Sequence, residues 1–305
     1  MTAEIVSGVE PVPPIVVSRS RLARLRELAP FLPAALLLGF LFFVPLTVMF
    51  VFSLWRTNAN LDILPNWTLD NYAIFFESRA YVYTLVKTAI MGAAVTALCL
   101  VISFAIAYFL ARYVSRRWAR FALLLIIVPF WTSYLLRVYS WQAILGEKGA
   151  LNQLLMGIGL LSEPSRLFVY NDVGTFIVLT YVYLPFAILV LYASLERFDY
   201  TQLTAAQDLG ASPSRAFRHV LLPQIRPGLI TAAIFVFIPI LGEYLTPSMV
   251  GGASGLLIAN LIANFFKNAL IPQGAAVGFL IVAFVTVLLV IFRRYLRVED
   301  VYVRG

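Results

Sequence analysis

Six long apolar runs, at roughly residues 31–55, 82–111, 120–142, 173–194, 227–249 and 274–293, constrain this chain more than anything else in it. A helix needs about 20 apolar residues to cross a hydrocarbon core of roughly 30 Å, and each run is long enough. Inside lipid no water satisfies the backbone, so only helices or closed barrels can span. Barrel strands would be short and alternating, whereas these runs are unbroken. The expected fold is therefore an all-α polytopic membrane protein with six transmembrane helices. Hydrophobic residues make up 61% of the chain and charged residues 12%, with a mean hydropathy of +0.89, which excludes an ordinary soluble domain. The first run is too long for a cleaved signal core and is expected to remain as a helix.

Charge orients the bundle. Arg19, Arg21, Arg24 and Arg26 precede the first run, and Arg112, Arg116, Arg117 and Arg120 lie between the second and third. Arg197, Arg215, Arg218 and Arg226 lie between the fourth and fifth, and Arg293, Arg294, Arg297 and Arg304 follow the sixth. These 16 of the 23 Lys and Arg residues fall on one side, which the positive-inside rule makes cytoplasmic together with both termini. The net charge of +8 thus reports topology and not nucleic-acid binding. The expected division is a cytoplasmic tail over 1–30 carrying a short surface helix near 19–28, a six-helix transmembrane domain over 31–295, and a cytoplasmic tail over 296–305.

Between the fourth and fifth runs lies the one long polar segment on that side, residues 199–223. Asp199 is expected to cap a helix, with Gln202 completing a capping-box-like pair. Gly210 supplies the left-handed residue that ends it. Ser212 then caps a second short helix whose first position is Pro213, and Pro223 and Pro227 are expected to close the element. A helix–turn–helix too polar to enter lipid is a docking knob.

Catalytic motifs are missing. Lys87, Lys148 and Lys267 all lack the glycine frame of a phosphate-binding loop, so the chain itself holds no ATP or Mg and is not an enzyme. Cys99 is alone and His219 is the only histidine, so neither a disulfide nor a metal cluster is expected within the chain. Proline lies within four runs, at Pro45, Pro129, Pro185 and Pro239, which suggests bent helices around a pathway. Glu243, the one acidic residue within a run, is a functional candidate because a charge at membrane depth is costly. It lies 17 residues beyond Arg226, and Arg137 lies 17 beyond Arg120, which puts both at a similar height on straight helices. Glu243 could pair with Arg137, snorkel to the interface, or bind a cationic solute. Trp131, Tyr134 and Tyr244 are further pathway candidates, since aromatic faces attract ammonium groups.

The polar segment resembles the docking loop of ABC-importer permeases: Glu-Ala-Ala, three residues, Gly, nine residues, Ile-x-Leu-Pro. Ala205, Ala206, Gly210, Leu222 and Pro223 fall in register, Val220 replaces Ile and Thr204 replaces the leading Glu. Asp208 and Ala211 lie within the same loop. Val128-Pro-Phe-Trp-Thr-Ser-Tyr-Leu-Leu-Arg137, Lys148-Gly-Ala-Leu-Asn152, Tyr183-Leu-Pro-Phe186 and the segment from Gly242 to Gly252 look like the first permease of spermidine/putrescine importers. The resemblance implies a type I ABC importer permease in a bacterial inner (plasma) membrane, with a second homologous permease, an ATPase dimer that binds ATP and Mg, and an external substrate-binding protein. The implied cargo is a polyamine. Related permeases carry opines and amino-acid derivatives, so those stay open, as does a secondary transporter without an ATPase.

Overall fold

A computed structural model of the protein describes residues 32–296. The expected tails, including the surface helix near 19–28, therefore lie outside the described residues, except that Leu296 ends the last helix. The chain divides into two units, residues 1–49 and 50–305.

Helix α1 (Leu32–Ser53) contains Pro45 without interruption and leaves Leu36, Phe40 and Phe43 exposed, as suits a segment whose solvent is lipid. Beyond it the chain turns through a two-residue antiparallel ladder, β1 (Arg56–Thr57) with β2 (Ile63–Leu64). Helix α2 (Asp70–Glu77) follows, and its Asn71 donates to the carbonyls of Ser53 and Trp55.

The core is built by three rods. Helix α3 (Arg79–Tyr113) has 35 residues, about 52 Å at 1.5 Å per residue, so it outruns the hydrocarbon core. Helix α7 (Asp172–Glu196) is capped by Asn171, whose side chain accepts from the Gly174 amide. Helix α10 (Leu222–Leu241) is the third. Val95 and Cys99, Leu179 and Leu191, and Ala232, Val236 and Ile240 bury their side chains where the three meet. At Gly228 a Cβ would lie 2.0 Å from Ser194 Oγ, so glycine is what lets α10 approach α7 this closely.

The third run departs from expectation. It is no straight helix: α4 (Arg116–Ile127) leads into a 3₁₀ turn (Val128–Trp131), and α5 (Tyr134–Leu145) leaves at 92°. Five continuous helices are thus long and apolar enough to cross a membrane, and the number is six when this bent pair is counted as one span. Pro129 sits at the start of the turn, where its missing N–H costs nothing. Pro185, by contrast, stays inside continuous α7. After α5 come α6 (Ala150–Gly157), and later α11 (Leu245–Val250), α12 (Ile258–Lys267) and α13 (Ile271–Leu296). The expected fifth run over 227–249 is also corrected: α10 ends at Leu241, and Gly242–Tyr244 joins it to α11. A second, smaller core of Phe75, Ile258, Phe265 and Val277 ties α2, α12 and α13.

Candidate functional site

The polar elbow begins at α8 (Thr201–Asp208). Asp199 Oδ1 accepts from the Thr201 amide at 3.0 Å and the Thr201 hydroxyl at 2.7 Å. Those bonds hold its carboxyl below the usual carboxylate range. The capping box with Gln202 does not form. Gln202 instead accepts from Gln224 at 2.6 Å, clasping α8 to the start of α10. At the other end Gly210 has φ +89°, and its amide bonds Gln207 O while the Ala211 amide bonds Ala206 O. This is a Schellman motif, in which left-handed glycine reverses the chain. Ser212 Oγ then accepts from the Arg215 amide at 3.3 Å, with Pro213 at the first position, as expected.

The second half differs from the expected short helix. α9 (Pro213–Ala216) runs through a π-turn (Phe217–Leu221) directly into α10, so Pro213–Leu241 forms one 29-residue span. Pro223 and Pro227 do not close it. The π-turn widens the helix just ahead of Pro223, where the Leu222 amide reaches back to Phe217 O, and so relieves the clash a proline makes in a regular turn. The second half of the elbow and α10 are consequently one continuous helical piece.

Its outer surface is bare. Thr204, Ala205, Asp208, Gly210, Leu222 and Pro223 are exposed, and Ala206, Ala211 and Val220 are partly buried against the bundle. Leu209 at the tip is 89% exposed, an apolar anchor that the sequence reading missed although a leucine just before a C-terminal glycine was the available signal. The inner surface plugs into α3: Phe217 meets Phe104 at 5.7 Å, Tyr200 meets Tyr108 at 6.1 Å, and the Arg112 guanidinium lies 5.3 Å over the Tyr200 ring. Burial pushes the Tyr200 hydroxyl up to about 12. These aromatics were not singled out from sequence, because their partners lie 88 to 113 residues upstream.

A second cluster forms where the broken span meets α11. Glu243 is buried. Its Oε1 accepts from the Leu245 and Thr246 amides at 3.1 and 3.2 Å, and its Oε2 accepts from the Tyr183 hydroxyl at 3.0 Å. The carboxylate therefore caps α11 and anchors it to α7. Tyr134 reaches the same place, its hydroxyl 2.7 Å from Thr246 Oγ1. Arg137 does not pair with Glu243; the 92° break removes the equal heights that a straight third helix would give. Instead its guanidinium lies 4.4 Å from the Phe130 ring centroid and 5.5 Å from that of Tyr134. Trp131 stands apart from the cluster and is 85% exposed. Tyr244 is held by Lys267, whose Nζ donates to its hydroxyl at 3.0 Å. An apolar cleft of about 340 Å³ between α3, α10 and α13, lined by Ala93, Leu100 and Phe237, carries no charged side chain to hold a hydrophilic cation.

A family model described as binding-protein-dependent transport system inner membrane component matches residues 103–298. The spermidine/putrescine transport system permease protein PotB of Haemophilus influenzae is 32% identical over 259 residues, 85% of this chain and 89% of that protein. PotB of Escherichia coli K12 is 34% identical over 229 residues, 75% of this chain and 82% of its own length. Among solved structures, the crystal structure of a bacterial alginate ABC transporter with its alginate-bound periplasmic protein contains a similar chain. The TM-score is 0.70 at 14% identity, covering 90% of this chain and 96% of that one, which is a likeness of fold.

Proposed function

The chain belongs to the family of binding-protein-dependent transport system inner membrane components, and from that premise we propose that it is one half of the pathway of an ABC importer for a small polycation, a polyamine such as putrescine or spermidine. It is a non-catalytic permease subunit. The observation that carries the cargo is the similarity to spermidine/putrescine permeases along most of the chain.

In this reading the elbow faces the cytoplasm with both termini, and the membrane is the bacterial inner membrane. Leu209, Ala205, Ala206 and Gly210 enter a groove on an ATPase subunit, which binds the ATP and Mg this chain lacks. Closure of the ATPase dimer pushes the elbow. Because the second half of the elbow continues through the π-turn into α10, and Tyr200 and Phe217 pack the elbow against α3, the push reaches two of the three core rods. A second homologous permease completes the pathway and an external binding protein delivers the solute. Glu243, Tyr134, Arg137, Trp131 and Tyr244 are the residues of this chain assigned to that pathway; Glu243 and Tyr134 shape it through the α11 cap, and Trp131 offers an exposed aromatic face to ammonium groups.

The test is ATP-driven uptake of labelled putrescine by proteoliposomes holding the full importer and its binding protein. Uptake that unlabelled spermidine suppresses, and an amino acid does not, is expected. ATP hydrolysis stimulated by the binding protein loaded with another solute class, with no putrescine uptake, refutes the cargo.

A further inference from the structure

Lys87 on α3 is held as a bound cation would be. Its ammonium meets Asp172 Oδ1, in the first turn of α7, at 2.7 Å. It also donates to Leu256 O at 3.3 Å and to Ser254 O. An ammonium has three protons to donate and no lone pair, and three acceptors surround this one. Bonds that do not involve Lys87 keep those acceptors in place. The Ile258 amide donates to Thr88 Oγ1 on α3 at 2.9 Å, and the Leu257 amide donates to Asn260 Oδ1 at 3.0 Å. The Tyr170 amide donates to Val250 O at 2.6 Å. At Gly252, where φ is +56°, a Cβ would lie 2.5 Å from Tyr170 O, so the loop 251–257 is wound closely against the chain entering α7.

Open space adjoins the ion pair. Two cavities, of about 340 and 450 Å³, both have Tyr83, Lys87 and Asp172 in their walls. The Tyr83 ring is exposed, and Asn264 lines the smaller cavity. The Asp172 oxygen that meets Lys87 is buried, yet 48% of the Asp172 side chain is exposed. An arriving cation therefore meets the open part of the carboxylate before Lys87 has moved. An ion pair exposed to this extent is held weakly, and a lysine sits on a flexible four-carbon stem that can withdraw.

We propose that Asp172 and the carbonyls of Ser254 and Leu256 form a binding seat for a primary alkylammonium ion, and that Lys87 fills the seat until such an ion replaces it. The exchange is between like groups, because the Lys87 side chain is itself a primary ammonium on a methylene chain. The hydrocarbon of the visitor lies in the cavity beside Tyr83, whose ring attracts a second ammonium. Asn264 offers that ammonium a carbonyl acceptor. The seat follows from the geometry alone; that its occupant is the imported polyamine rests on the function proposed above.

The experiment uses the full importer in lipid nanodiscs without its binding protein. Mass spectrometry reads acylation of Lys87 relative to Lys148 and Lys267 in the same sample, so reagent consumed by added amine cancels. A tethered group competes at a millimolar effective concentration, so amines are added up to about 50 mM. Putrescine and propylamine are expected to raise relative labelling of Lys87 at least about threefold, as the displaced side chain enters solvent. Tetramethylammonium at equal ionic strength has a charge but no N–H and is expected to change nothing. Asp172→Asn is expected to abolish the response. Absence of a rise with either amine overturns the seat. An equal rise with tetramethylammonium also does so, because screening alone then frees Lys87, and so does an amine response that survives Asp172→Asn. Should Asp172→Asn fail to fold, the comparison of ions on the wild-type chain decides by itself. A Lys87 that answers propylamine in an importer without putrescine uptake refutes the cargo and keeps the seat. Putrescine uptake with an unresponsive Lys87 refutes the seat and keeps the cargo.

Discussion

At the residue scale, Glu243 serves structure before anything else. Its carboxylate satisfies two amides at the start of α11 and a buried hydroxyl on α7, so what matters is how many of those bonds a replacement keeps. Glutamine keeps an acceptor for the amides and a donor for Tyr183, whereas alanine leaves buried donors unsatisfied, at about 1–3 kcal/mol each. Glu243→Gln is therefore expected to melt within a few degrees of wild type in detergent and Glu243→Ala well below it; equal melting temperatures would contradict the capping role. Asp199 gives a pH prediction. Its folded pKa is depressed by the Thr201 bonds, so its contribution is complete above the unfolded value of about 3.9 and is lost as pH falls through the lower folded value. Amide exchange in α8, corrected for its intrinsic pH dependence, should be flat from pH 5 to 8 and rise only in strong acid. Asp199→Asn should preserve protection and Asp199→Ala reduce it.

At the scale of elements, the elbow was legible because its instructions are local. Gly210, Ser212 and Pro213 act on their own backbones within four residues, and the turn they predict is the turn that forms. The continuation of α9 into α10 was not legible, since the π-turn that accommodates Pro223 has no residue signature of its own. Nor was the break after Pro129: hydropathy runs unbroken across it, and Pro185 shows that the same residue can stay inside a helix. The partners of Glu243 and Tyr200 lie 60 and about 90 residues away, and only packing reveals them. Helix approach makes a further prediction. Gly228→Val must displace Ser194 and separate α10 from α7, and overpacking of this kind costs about 1–3 kcal/mol. A lower melting temperature and weaker coupling of ATP hydrolysis to uptake are expected; unchanged values would mean the two rods do not move as one.

At the scale of the whole molecule, a polar elbow fused to one core rod and keyed into another makes a lever, and a lever needs a motor. The chain contains no phosphate-binding loop, and among the described residues its most exposed large apolar side chain, Leu209, sits at the tip where a motor would grip. The Glu243 cluster is bonded to α7 through Tyr183 and follows directly on the end of α10, the rod into which the elbow continues. Force applied at one end is therefore expected at the other. The most direct test places a photo-crosslinking amino acid at Leu209 in the assembled importer. The predicted result is capture of a nucleotide hydrolase, with yield that changes when ATP is bound. Capture of lipid alone, together with solute import that continues after ATP is exhausted, would contradict it.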